Sequence, residues 1–143
     1  MCGIIGIVGN RPVAERLVDG LRRMEYRGYD SAGLCTIDGG ELIRRRAEGK
    51  LINLVFELDR HPAPGDVGIA HTRWATHGAP TTSNAHPHAT SEIALVHNGI
   101  IENFRPLRQE LEARGRTFES ETDTEVVAHL VSEQVEGGKS PQD

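Results

Sequence analysis

The tripeptide Asp38-Gly39-Gly40 stands between two strand-like runs, Gly33 to Ile37 and Glu41 to Arg45. Two glycines at the tip supply the positive φ angles that a tight hairpin needs. A hairpin joins antiparallel strands, so this signal argues against a purely parallel, doubly wound sheet.

The flanking segments place helices around that hairpin. Cys2 to Val8 is a short apolar run between glycines and reads as a buried strand. Pro12 to Met24 carries Val13, Leu17, Val18, Leu21 and Met24 at helical spacing, with Asn10 as the expected cap and a stop near Gly28. Lys50 to Leu58 predicts a short helix, His61 to Asp66 a loop, and Val67 to Ala70 and Ile93 to His97 two strands. Asn103 to Arg114 predicts a helix closed by Gly115, Thr117 to Glu119 a brief strand, and Thr124 to Val135 a helix with Val126, Val127, Leu130, Val131 and Val135 on one side. Gly137 to Asp143 reads as a frayed end. The result is one mixed α/β (α+β) domain, since 143 residues suffice for a single core and are too few for two ordinary ones.

A net charge of −5 argues against nucleic acid as a partner. The longest apolar run near the start, Ile4 to Val8, is too short to span a membrane, and no signal peptide is recognised. Two cysteines, Cys2 and Cys35, make no disulfide framework, which predicts a reduced, cytoplasmic setting.

Cys2 follows the initiator Met. Once Met1 is removed, its thiol and a free α-amine share one residue. Ordinary pKa values are about 8 for such an amine and about 8.5 for a thiol. The amine can therefore take the thiol proton without a separate histidine. The bland reading is a small apolar residue opening a strand. Gly3, Gly6 and Gly9 do not match a dinucleotide loop and instead let backbone approach the cysteine closely. Asn98-Gly99, after the apolar run Ala94 to Val96, is either a hairpin tip or an oxyanion hole built from the Asn98 side-chain amide and the Gly99 N–H. In the segment His71 to Gly78, Arg73 beside Trp74 in a polar loop suits a carboxylate under a cover. The alternative for Arg73 is a surface salt bridge. Asp123 can bind an ammonium, whereas Thr122 with Glu125 forms a capping-box pattern for the helix that follows. His71, His77, His86, His88 and His97 raise a metal site as an alternative, but no His-Glu-x-x-His pattern and no Cys pair accompanies them, so no metal and no cofactor is expected. Ser31 lacks the first glycine of a nucleophile elbow.

Together, Met1-Cys2-Gly3-Ile4-Ile5-Gly6, Glu25 to Gly33, His71 to Gly78, Val96 to Asn103 and Ser120 to Glu125 resemble the class II glutamine amidotransferases, within the N-terminal nucleophile hydrolases. The segments after the opening are similar to the hexosamine-forming branch of that family. The resemblance implies an αββα sandwich with largely antiparallel sheets and the hydrolysis of L-glutamine to glutamate and ammonia. It gives Cys2 the role of nucleophile, Asn98 and Gly99 the oxyanion, Arg73 the α-carboxylate with Thr76 and His77 enclosing it, Asp123 the α-ammonium, and Trp74 a closing loop. It also implies that ammonia passes to fructose 6-phosphate, to form glucosamine 6-phosphate, in isomerase domains beyond residues 1–143, and that the full-length enzymes are homodimers. On this reading the 143 residues are the N-terminal portion of the glutaminase domain, truncated at the C-terminus, with an open sheet edge and an uncovered face. Two alternatives remain: a glutamine-binding fragment without catalysis, or the glutaminase domain of a sibling amidotransferase.

Overall fold

In the computed structural model, which describes residues 2–140, the predicted hairpin is present and longer than expected. Strands β2 (Ser31–Asp38) and β3 (Glu41–Glu48) pair in register from Ser31–Glu48 to Asp38–Glu41. Gly39 and Gly40 turn between them at φ 58° and 88°. β4 (Val67–Arg73) lies antiparallel to β2, and β1 (Gly3–Val8) antiparallel to β4, giving the order β1-β4-β2-β3. β1 is therefore an edge strand and not the buried strand its apolar run suggests. Ile4 is 43% exposed and Val8 83%, because only alternate residues face the core.

The two faces of this sheet have different occupants. One carries Ile5 and Ile7, Ala32 and Leu34, and Ala70. Helices α1 (Ala14–Arg22) and α2 (Leu51–Arg60) pack there through Leu17, Val18, Leu21, Leu51 and Leu54, forming the main core. The other face carries Gly33, Arg44, Arg46, His71 and Arg73. Over it lie a two-stranded sheet, β5 (His88–Ala89) with β6 (Ala94–Leu95), and α4 (Thr124–Glu136) beyond, packed on α3 (Phe104–Ala113). The layers thus run helix, sheet, sheet, helix.

Gly33 lets the second layer sit close. A Cβ there would lie 2.1 Å from the backbone oxygen of His86, a contact that only a backbone shift can relieve. Gly33→Ala is expected to lower stability by about 1–3 kcal/mol, seen as a lower melting temperature.

Several expectations are corrected. Asn10 caps nothing: α1 begins at Ala14 behind Val13, without a side-chain cap bond, and a 3-10 turn at Glu25–Arg27 precedes Gly28. The strand expected over Ile93 to His97 shrinks to Ala94–Leu95, and its partner His88–Ala89 carries no apolar signal. Thr117 to Glu119 forms no strand. The Thr122–Glu125 capping box does not close. Asp123 occupies the N-cap, while Glu125 accepts the N–H groups of Glu119 and Ser120 at 2.7 Å each. On α4, Val126 is buried, but Val127, Leu130, Val131 and Val135 are only half-buried; Ala128, His129 and Ser132 take the inner face. Of the expected frayed end, residues 141–143 lie outside the described residues, as does Met1. Among the described residues nothing pairs with the outer edge of β1.

Candidate active site

Alternation along β4 decides what the sheet offers to the second layer. Ala70 and Thr72 point to the helices, so His71 and Arg73 point the other way. The segment read as a polar loop therefore starts inside a strand, and its arginine is 4% exposed. The guanidinium donates to the carbonyls of Ala79 at 3.2 Å, Gly78 at 3.3 Å and His77. These bonds fold the 74–79 loop back over the strand end, where a surface salt bridge was the alternative. Asp30 fixes the start of that loop: its Oδ2 accepts the Ala75 N–H at 2.6 Å, and its own N–H donates to the Arg73 carbonyl at 2.8 Å.

With the loop so held, the Trp74 N–H points at the Cys2 sulfur, 3.1 Å away. The Trp74 ring is 53% exposed. On the opposite side the Asn98 Nδ2 donates to the Cys2 carbonyl at 3.3 Å. Gly99 follows; a Cβ there would come within 2.7 Å of the His97 ring, so a residue without one belongs at this corner. Asp123, 4% exposed at the start of α4, accepts the Ile101 N–H on Oδ2 at 2.7 Å and so ties the 98–101 turn to the helix.

These groups converge. Cys2, Arg73, Trp74, Thr76, His77, Asn98, Gly99 and Asp123 all line one cavity of about 400 Å³. Every residue to which the resemblance assigns a role is in its wall, whereas His88 and Ser31 are not. A nucleophilic sulfur, an amide donor, a cation and a carboxylate around one space suit a zwitterion that carries an amide. His77 lies on Thr76, with 3.4 Å between Nδ1 and Oγ1, and edges onto Phe104.

Arg27, His71, His86, His97, Ile100, Thr122 and Thr124 complete the wall. The sequence flagged the histidines only as a metal alternative. Among the described residues, no group of three or more His, Cys, Asp or Glu side chains could hold a metal ion. Instead His71 stacks on His86, with ring centroids 4.3 Å apart, and His88 meets His86 edge-on at 4.5 Å. Burial holds all three well below the ordinary histidine range, His71 to about 4 and His88 to about 3, so they are neutral at physiological pH. The two-residue step from His71 to Arg73 was the signal that could have placed His71 in the site.

A family model described as "Glutamine amidotransferase domain" matches residues 60–139. The chain is 68% identical over 142 residues to a glutamine–fructose-6-phosphate aminotransferase (isomerizing) of Zymomonas mobilis, covering 99% of this chain and 23% of that protein. The protein of the same name from Brucella abortus is 67% identical over 141 residues, again covering 23% of the relative. The chain thus spans about a quarter of the length of these curated relatives. Among solved structures, a glutamine phosphoribosylpyrophosphate amidotransferase from B. subtilis superposes with a TM-score of 0.75 at 30% identity, over 92% of this chain and 29% of that one.

Proposed function

The chain belongs to the glutamine amidotransferase family, and from that premise we propose that it hydrolyses L-glutamine to glutamate and ammonia, with Cys2 as nucleophile. One observation carries the reading: the Cys2 sulfur and the Asn98 amide face one cavity whose far walls hold Arg73 and Asp123.

In this mechanism Arg73 pairs with the α-carboxylate and Asp123 with the α-ammonium, so the side-chain amide of glutamine reaches Cys2. Thr76 and His77 enclose the carboxylate, and Trp74 covers it. The sulfur attacks the amide carbon, and its proton passes to the α-amine that Cys2 exposes once Met1 is removed. The carbonyl oxygen becomes negative and is held by the Asn98 Nδ2 and the Gly99 N–H. The C–N bond then breaks, the ammonium proton goes to the leaving nitrogen, and ammonia departs from a thioester. Water attacks that thioester through the same oxyanion site, releasing glutamate and restoring the thiol. No metal or other cofactor enters any step. Both cysteines are free thiols, which fits a reducing, cytoplasmic compartment.

The high identity to aminotransferases extends the proposal. The unit described here would be the N-terminal portion of a glutaminase domain. It would feed ammonia to fructose 6-phosphate bound by isomerase domains outside these residues, within a homodimer.

Asp123→Asn tests substrate recognition. Its amide oxygen can still accept the Ile101 N–H, but it no longer offers a charge to the ammonium. KM for glutamine is expected to rise about 10- to 100-fold with a smaller change in kcat, measured by glutamate release. An unchanged KM removes Asp123 from substrate binding.

A further inference from the structure

His71 lies 1% exposed beneath the cavity, and its Nε2 is 2.8 Å from the Asn98 Oδ1. The other end of the same amide faces the Cys2 carbonyl, at 3.3 Å. A carbonyl oxygen can only accept, so the NH₂ end of Asn98 must point at Cys2 and the oxygen at His71. The amide oxygen is also only an acceptor, so the proton of His71 must sit on Nε2. Its Nδ1 is buried and makes no hydrogen bond of good geometry. Stacking on His86 and the strand backbone leave that ring little freedom to turn.

We propose that His71 is a positioning residue: its Nε2–H holds the Asn98 oxygen so that the amide NH₂ faces the reacting carbonyl. Without it, rotation by half a turn would present an oxygen to a developing oxyanion, reversing the interaction. The proposal rests on the glutaminase reading, and it adds a requirement that reading does not contain.

Two measurements test it. The first needs no variant: nitrogen-15 NMR of the histidine rings in the intact chain is expected to show His71 protonated at Nε2 and bare at Nδ1. The opposite tautomer overturns the proposal. The second is a double-mutant cycle in glutamine hydrolysis. His71→Phe keeps a stacked ring but no donor, and is expected to lower kcat about 10- to 100-fold with KM changed less than about 3-fold. His71→Gln, which restores an N–H donor, is expected to recover most of that loss. On an Asn98→Ala background, His71→Phe should cost no more than about 2-fold, because the amide it orients is gone. An equal loss on both backgrounds overturns the proposal, as does full kcat in a folded His71→Phe. A folded, Met-free wild-type chain that hydrolyses no glutamine refutes the glutaminase reading instead, and the NMR result then judges the His71–Asn98 arrangement on its own.

Discussion

Cys2→Ala is expected to abolish glutamine hydrolysis, with a loss of at least about 10⁴-fold in kcat. The size follows from chemistry. Among the described residues, Cys2 is the one thiol that lines the cavity shared by Arg73, Asn98 and Asp123. Cys35 supplies the control: it is 2% exposed on β2, lies outside the cavity, and burial pushes its thiol up to about 11. Cys35→Ala is therefore expected to leave hydrolysis essentially intact. Processing matters as much as the side chain. In a chain that keeps Met1, the Cys2 nitrogen is an amide and cannot accept a proton, so activity should track the Met-free fraction read by intact mass.

Asn98→Ala is expected to lower kcat by about 10²- to 10³-fold, equivalent to about 3–4 kcal/mol of barrier, with KM within a few-fold. The Asn98 amide donates to the Cys2 carbonyl in the resting site. The same hydrogen becomes far more valuable once the substrate oxygen carries charge, and removing it penalises the transition state more than the bound ground state. Steady-state kinetics separates the cases: a raised KM at constant kcat would make Asn98 a binding residue only.

The sequence was informative wherever function and local structure demand the same residues. The glycine pair at 39–40 marked a hairpin and the spacings around Leu17 and Leu54 marked helices, enough for a mixed α/β domain with antiparallel strands, whereas the layered nucleophile-hydrolase fold was legible only through the family resemblance. Cys2, Arg73, Asn98 and Asp123 were legible through the joint family resemblance, since each alone also fits a structural role, and the fold gathers them around one cavity. Contacts that depend on tertiary layering were not legible. β5 is two residues long and owes its pairing to the surface beneath it. Thr122 turns from the capping box to His88, its Oγ1 2.8 Å from the His88 Nε2. Glu125 turns back to the 119–120 backbone, where buried N–H groups need an acceptor more than the helix end does. His71 and His86 raised a metal site only as an alternative, and composition cannot show that their rings stack.

The central claim is that an N-terminal Cys2 attacks an amide carbon in this cavity. Trapping with the glutamine-like electrophile 6-diazo-5-oxo-norleucine, read by intact mass and peptide mapping, tests it most directly. One adduct is expected, on Met-free Cys2, suppressed by glutamine and absent from Cys2→Ala. Folded, Met-free protein that stays unmodified at Cys2, or that is labelled instead at Cys35, would contradict it.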